Sequence, residues 1–156
     1  MAQKTTTLRL STADETDQLG QTLAGYAVAG DCFLLGGQIG AGKSALARAF
    51  IRARLGEQTE VPSPTFTLVQ TYNDDGLEIW HADLYRLSDP QEAVELGLMD
   101  AFADSICLIE WPELLRGLAP ENALEINLTV TPDAHLATLT YGENWVRRLP
   151  VLNSHA

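Results

Sequence analysis

Residues 36–44 read Gly-Gly-Gln-Ile-Gly-Ala-Gly-Lys-Ser, and from Gly37 onward they form the pattern G-x-x-x-x-G-K-S. This pattern is typical of a loop whose backbone N–H groups bind phosphate oxygens. Its flanks agree with it, because the apolar run 32–35 predicts a buried strand and residues 45–55 predict a helix. A strand, a glycine-rich turn and a helix start are the context that the pattern needs. The stretch therefore predicts a phosphate-binding loop.

Each residue type in this loop has a physical reason to be there. Glycines let the backbone curl so that successive N–H groups face the phosphates, and the new helix adds its unsatisfied amides and its dipole. Lys43, one of only two lysines in the chain, supplies a charge for the outer phosphates, and Ser44 supplies a hydroxyl for Mg²⁺. The predicted nucleotide-binding residues of the loop are Gly40, Ala41, Gly42, Lys43, Ser44 and Ala45.

Length and composition predict one globular domain over residues 1–156, with 46% hydrophobic and 20% charged residues. The chain start lacks the apolar stretch of a signal peptide, and no apolar run is long enough for a membrane span. Cys32 and Cys107 both lie in apolar, strand-like runs, which favours buried free thiols over a disulfide or a metal site. We expect a cytoplasmic protein without a membrane partner.

The net charge of −11 argues against unaided binding of RNA or DNA. Such binding depends on lysine and arginine side chains that neutralise phosphates. Here ten basic residues face 21 acidic ones, and Arg86 and Arg116 are the only basic residues between Leu55 and Trp145. An acidic surface fits a protein partner better, although it also serves solubility.

Hydrophobic periodicity predicts alternating strands and helices along the whole chain. Thr12 and Glu15 form a capping box before a first helix that runs to about residue 29. Strands are predicted at 6–10, 32–35, 66–72, 77–82, 106–109, 123–130, 136–141 and 145–149. The fold class is α/β: a three-layer fold of the P-loop NTPase type with a mixed, mainly parallel central sheet and the nucleotide at the carboxyl ends of its parallel strands.

Two acidic residues end predicted strands. Glu110 follows the apolar run 106–109, which is the second signature of a nucleotide site because such a carboxylate holds Mg²⁺ or its water. Asp83 ends the strand 77–82, where it is either a further acid near the metal, a group that orients the attacking water, or a plain turn residue. Thr65 follows two prolines in residues 61–65, and spacing alone favours an ordinary loop over a switch that senses the γ-phosphate. The three histidines lack metal-ligand spacing.

Four stretches in this order resemble the TsaE family of bacterial ATPases. They are the loop 36–44, Ser-Pro-Thr-Phe-Thr at 63–67, His-Ala-Asp-Leu-Tyr-Arg-Leu at 81–87 and Ile-Glu-Trp-Pro at 109–112. The resemblance runs from Leu10 to about Thr140. It implies a weak, Mg²⁺-dependent ATPase that works with the TsaB and TsaD proteins, where TsaD transfers a threonylcarbamoyl group to the adenosine beside the tRNA anticodon.

The resemblance also implies roles for single residues. Ser44 and Glu110 bind Mg²⁺, and Asp83 is needed for hydrolysis, so Lys43, Asp83 and Glu110 are the expected catalytic residues. Thr65 becomes part of a nucleotide-sensing switch, and Ser11 or Thr12 contacts the adenine. Many members carry Thr where this chain carries Ser44, and the hydroxyl is kept.

Two other functions remain open. A small-molecule P-loop kinase usually needs several Arg or Lys side chains to clamp phosphoryl groups, and the middle of this chain has only Arg86 and Arg116. A non-enzymatic module, in which the nucleotide only fixes a shape for assembly, has the same motifs. Hydrolysis-deficient variants distinguish it from an ATPase.

Overall fold

The computed structural model describes residues 3–150, which form a single seven-stranded sheet covered by helices. The strands are β1 (Lys4–Leu10), β2 (Cys32–Gly37), β3 (Val69–Asp74), β4 (Leu77–Asp83), β5 (Ile106–Glu110), β6 (Leu124–Val130) and β7 (His135–Tyr141). The helices are α1 (Ala13–Tyr26), α2 (Lys43–Leu55), α3 (Gln91–Glu95), α4 (Leu98–Asp104) and α5 (Glu143–Val146), with a 3-10 turn at Pro112–Leu115.

The sheet is mixed, with the strand order β1-β7-β6-β2-β5-β4-β3. The four strands β6, β2, β5 and β4 are parallel neighbours in its centre. The antiparallel pairs β1–β7, β6–β7 and β3–β4 lie toward the two edges. This arrangement confirms the predicted mainly parallel α/β sheet, because the fully buried runs of β2 and β5 occupy its middle.

Helices pack on both faces of the sheet, so the predicted three layers are confirmed. One core joins α1, α2 and α5 to the sheet through residues such as Leu23, Phe50 and Trp145. The other joins α3, α4 and the 3-10 turn through Ala93, Leu98 and their neighbours. No helix within residues 3–150 is both long and apolar enough to cross a membrane.

Helices α1 and α2 pack unusually closely, because α1 has a glycine at the contact. A Cβ on Gly20 would lie 2.8 Å from the backbone oxygen of Leu46 in α2. The predicted N-cap residue starts α1: the Thr12 hydroxyl accepts a hydrogen bond of 3.2 Å from the backbone N–H of Glu15, which is the Thr12 half of the predicted capping box. Helix α2 is therefore held along its length by α1 and the sheet, which fixes the loop that precedes it.

Two predicted strands differ from the structure. Residues 145–149 do not add a strand; Trp145 ends up in α5, where its Nε1–H donates to the Asn122 oxygen at 2.7 Å and its ring lies 5.4 Å from that of Phe33. The strand predicted from residue 66 begins only at Val69. Phe66 lies in a turn closed by the Leu68 N–H and the Pro64 oxygen, and 81% of its surface is exposed. Tertiary contacts decided the segment of Trp145, whereas a local turn between Pro64 and Leu68 delays the start of β3.

Candidate nucleotide-binding site

The glycine-rich loop follows β2, and its conformation depends on glycine. Gly37, Gly40 and Gly42 have φ angles of 128°, 84° and 110°, in the region that other residues rarely adopt. A Cβ on Gly37 would lie 2.3 Å from the Leu128 oxygen, so only glycine fits beside β6. Helix α2 begins directly at Lys43, where the first amides of a helix lack partners within it. The loop and the helix start together make the anion-binding arrangement that the sequence predicted.

Lys43 is buried within this loop. Its Nζ donates to the carbonyl oxygens of Gly37 and of Gln38, the latter at 3.4 Å, and lies 3.5 Å from the centre of the Trp111 ring. Burial lowers the pKa of the Lys43 ammonium, while the carboxylates of Glu110, Glu113 and Asp83 act in the opposite direction. Carbonyl dipoles and an aromatic face thus hold the Lys43 ammonium beside the cavity. In this position it can form an ion pair with an anion such as a polyphosphate.

Ser44, Glu110 and His81 form a chain of hydrogen bonds. The Ser44 hydroxyl donates to Glu110 Oε1 at 3.1 Å, and the His81 Nε2 lies 2.6 Å from Glu110 Oε2. Both Glu110 and His81 are almost completely buried. The parallel register of β4 and β5 sets this geometry, because it puts Asp83 directly beside Glu110 and His81 diagonally across from it.

Asp83 faces the same space and is tied to the segment of Thr65. Its Oδ2 accepts a hydrogen bond of 3.2 Å from the Thr65 hydroxyl, and its Oδ1 accepts one of 3.0 Å from the backbone N–H of Tyr85. The Thr65 hydroxyl also lies 2.7 Å from that of Ser63. A ligand that displaced Thr65 would therefore change the partners of Asp83 as well.

These groups line one cavity of about 440 Å³. The predicted site residues on its wall are Gly40, Gly42, Lys43, Ser44, Ala45, Thr65, Asp83 and Glu110. Ala41 is buried beneath the loop, where its carbonyl oxygen lies 3.0 Å from His135 Nδ1. A cavity of this size and composition is large enough for the polyphosphate of a nucleotide.

Ser11 lines a second cavity of about 400 Å³, not the first. Thr12, Asp133 and His135 line it too, and both cavities share Gly42 and Ala45 on their walls. Both cavities therefore border the start of α2. The first is lined by the loop, Asp83 and Glu110, and the second by hydroxyl groups, a carboxylate and an imidazole.

The family model of the Threonylcarbamoyl adenosine biosynthesis protein TsaE matches residues 10–136. This chain belongs to the TsaE family. The protein from Rickettsia bellii named tRNA threonylcarbamoyladenosine biosynthesis protein TsaE is 39% identical over 124 residues, which cover 80% of this chain and 86% of that protein. The Haemophilus influenzae protein of the same name is 44% identical over 115 residues, covering 70% of this chain and 72% of that one.

A solved structure agrees with membership of the TsaE family. The crystal structure of Bacillus subtilis YdiB superposes with a TM-score of 0.80 at 28% identity, covering 99% of this chain and 98% of that one. The Bacillus subtilis protein named TsaE is 38% identical over 114 residues, covering 72% of this chain and 70% of that protein. The fold described above is thus also that of YdiB.

The structure adds residues that motif reasoning did not assign to the site of this TsaE-family chain. Trp111 covers Lys43, and Ile39 and Tyr85 complete the wall of the first cavity. His81 lacks metal-ligand spacing to the other histidines and the cysteines, yet its side chain contacts Glu110. The available signal was strand alternation, which puts His81 on the same face of β4 as Asp83.

The oxygen atoms in the TsaE-family site suit Mg²⁺. Ser44 Oγ and Glu110 Oε1 are hard donors 3.1 Å apart at the phosphate end of the cavity. Within residues 3–150 no group of three or more His, Cys, Asp or Glu side chains could hold a metal by itself. This combination fits a cation that takes few protein ligands and completes its shell with phosphate oxygens and water.

Proposed function

We propose that this chain binds Mg²⁺–ATP in the first cavity, hydrolyses it weakly, and serves N6-threonylcarbamoyladenosine modification of tRNA at the adenosine next to the anticodon. It would act with the TsaD and TsaB proteins. The observation that carries the nucleotide part is the hydrogen bond between Ser44 in the loop and Glu110 at the end of β5. The tRNA part is supported by membership of the TsaE family and by the names of the relatives.

The residues have distinct tasks in this proposal. The loop amides and Lys43 bind the β- and γ-phosphates, while Ser44 and Glu110 hold Mg²⁺, which would neutralise charge on the phosphate oxygens. Asp83 positions the water for attack, because its carboxylate ends β4 beside Glu110 and borders the same cavity. Thr65 senses the γ-phosphate, because a shift of Thr65 toward the phosphate would break its hydrogen bond to Asp83.

The second cavity would receive the adenine. It begins at Gly42 and Ala45, next to the phosphates, and Ser11 and Thr12 offer hydroxyl groups there. A nucleotide laid across the start of α2 would reach from one cavity into the other. This arrangement supports ATP binding as a whole, with base and phosphates held by different parts of the chain.

The net charge supports a function through protein partners. A protein with net charge −11 does not neutralise the phosphates of tRNA by itself, so contact with tRNA would come from TsaD and TsaB. The kinase alternative is weaker, because Lys43 is the only Lys or Arg side chain that lines the first cavity in residues 3–150. Transfer of phosphate from ATP to a metabolite instead of water would favour the kinase.

The test is a reconstituted reaction with TsaB, TsaD, tRNA and the TsaD substrate, in which ATP hydrolysis and tRNA modification are measured together. We expect wild-type hydrolysis to rise when the partners are added and Asp83→Asn to lose most hydrolysis while it still binds ATP. Asp75→Asn, in the exposed β3–β4 turn, is the matched control and should behave as wild type. Full modification by Asp83→Asn without hydrolysis would instead favour the non-enzymatic binding module.

A further inference from the structure

His81 makes a buried contact with the acid that the proposed function assigns to Mg²⁺. Its Nε2 lies 2.6 Å from Glu110 Oε2, and both side chains are almost completely shielded from solvent. The other carboxylate oxygen, Oε1, accepts from Ser44. Each oxygen of Glu110 thus has one partner, and the two partners come from different elements, β4 and α2.

We propose that His81 is a positioning residue that orients the Glu110 carboxylate toward Ser44 and the Mg²⁺ bound there. This inference rests on the proposed function, since it needs a metal-bound nucleotide at Ser44 and Glu110. A buried carboxylate with a single partner could rotate about its last side-chain bond. The bond from His81 restricts that rotation, and partners of this kind help determine how strongly a carboxylate binds its metal.

The hydrogen-bond pattern also assigns the hydrogen to Nε2. An ionised carboxylate can only accept, so the His81 Nε2 must carry the hydrogen that it shares with Glu110. The opposite ring atom, Nδ1, is buried and has no hydrogen-bond partner within residues 3–150. A ring with its only hydrogen on Nδ1 would leave that buried donor unsatisfied and would set a bare Nε2 against Glu110, so the geometry favours a hydrogen on Nε2.

An imidazole N–H suits this position better than the side chain of Lys or Arg would. Lys or Arg beside Glu110 would compete with Mg²⁺ for the carboxylate, whereas an imidazole N–H fixes the group and leaves its negative charge available. Asp83 does not share this role, because its two oxygens accept from Thr65 and Tyr85. The two acids are therefore oriented by separate sets of hydrogen bonds.

The experiment measures metal affinity directly. Mn²⁺, which accepts the same oxygen ligands as Mg²⁺, is titrated into ADP-saturated protein and followed by electron paramagnetic resonance. In His81→Leu, which keeps an apolar side chain but no donor, we expect the Kd for Mn²⁺ to rise about tenfold. The Kd for ADP without metal should stay unchanged. His81→Gln places an amide N–H where Nε2 was, and should restore most of the metal affinity.

Two further measurements separate positioning from general damage to the fold. In a Glu110→Gln background, His81→Leu should have no additional effect on Mn²⁺ affinity, because the residue acts through Glu110. In the wild-type protein, long-range ¹H–¹⁵N correlation spectra should show the hydrogen of His81 on Nε2. The spectra need no variant, so they decide the hydrogen-bond direction even where His81→Leu does not fold, and a hydrogen found on Nδ1 alone would overturn the inference.

The outcomes distinguish this inference from the proposed function. Wild-type protein that fails to bind ADP with or without metal would contradict the proposed function itself. Normal metal-dependent binding by wild type, combined with an unchanged Kd for Mn²⁺ in folded His81→Leu, would overturn only the role of His81. An equal loss of ADP affinity with and without metal would do the same, since positioning acts on the metal alone.

Discussion

Ser44 and Glu110 lie 66 residues apart in sequence, yet the Ser44 hydroxyl donates to Glu110 Oε1 at 3.1 Å. This bond joins the first turn of α2 to the end of β5. It exists because β2 and β5 are parallel neighbours, with Leu35 in register with Glu110. The loop after β2 and the acid at the end of β5 are thus carried to the same edge of the sheet.

Ser44→Ala should lose the increase in nucleotide affinity that Mg²⁺ provides. Without the hydroxyl, the metal loses an oxygen ligand, and we expect the effect of Mg²⁺ on ADP binding to fall about tenfold, equivalent to about 1.4 kcal/mol. Calorimetric titrations with ADP in Mg²⁺ and in EDTA measure this directly. Ser44→Thr keeps the hydroxyl and is the matched control. A normal Mg²⁺ effect in Ser44→Ala would remove Ser44 from the metal site.

Lys43→Ala should weaken ATP binding by about 10- to 100-fold, because a hydrogen bond to a charged group contributes about 1.5–3 kcal/mol. The control is Lys4→Ala, which removes the other lysine. Lys4 pairs with Glu143 on the surface at 2.9 Å, far from the loop, so its loss should leave ATP affinity unchanged. Equal affinities for the two variants by calorimetry would contradict the assignment of Lys43.

Bound nucleotide should also stabilise the folded protein, with the size of the effect set by mass action. At a ligand concentration of about 100 times its Kd, the free energy of unfolding rises by about 2.7 kcal/mol. Wild-type protein should therefore melt at a higher temperature in Mg²⁺–ATP, whereas Lys43→Ala should show a smaller shift at the same concentration. A melting temperature that is the same with and without Mg²⁺–ATP would contradict nucleotide binding at this site.

Gly37→Ala should destabilise the protein more than Gly76→Ala does. Both glycines have positive φ, 128° and 94°, so each substitution forces alanine into a strained conformation that costs about 1–3 kcal/mol. At Gly37 the new Cβ would also collide with the Leu128 oxygen at 2.3 Å, whereas at Gly76 nothing lies within 4 Å. Urea denaturation of the two variants compares them. Equal losses of stability would show that the loop moves away from β6 without cost.

Cys107 should react with thiol reagents only after unfolding. Burial raises its pKa from 9.0 to about 12, so the native thiol is not ionised at pH 8. Between about pH 9 and pH 12 the unfolded chain has lost this proton and the folded chain still holds it, so stability falls as pH rises. Reaction with Ellman's reagent, with and without urea, tests whether the thiol reacts only after unfolding. Urea denaturation midpoints between about pH 9 and pH 12, compared with those of Cys107→Ala, test the loss of stability.

Much of the site could be predicted from sequence because its chemistry is local. The loop residues are contiguous, and glycine, lysine and serine act there through their own backbone and side-chain properties. The ends of β4 and β5 were also predictable, since each predicted strand is followed by an acid, Asp83 or Glu110. The alternation of apolar and polar residues does not identify which strands are neighbours in the sheet. It therefore could not predict the register that pairs Asp83 with Glu110.

Both errors arose where β-propensity was not the deciding factor. The segment around Trp145 has strand-like composition, but its indole finds a core beside Phe33 and an acceptor at Asn122, and it becomes helical. Phe66 has high β-propensity, yet the turn after Pro64 leaves it in solvent. At Trp145 contacts distant in sequence outweighed β-propensity, and at Phe66 the local turn that Pro64 begins outweighed it.

By itself, the sequence determined the glycine-rich loop between a strand and a helix, the alternation of strands and helices, and the acidic charge that argues against direct binding of nucleic acid. Only the tertiary structure decided that His81 contacts Glu110, that Trp111 covers Lys43, and that Ser11 lines a different cavity from Asp83 and Glu110. The reason is that a motif specifies what its own backbone can do over a few residues. The partners of a side chain depend on strand order and register, which are set by how the whole core packs.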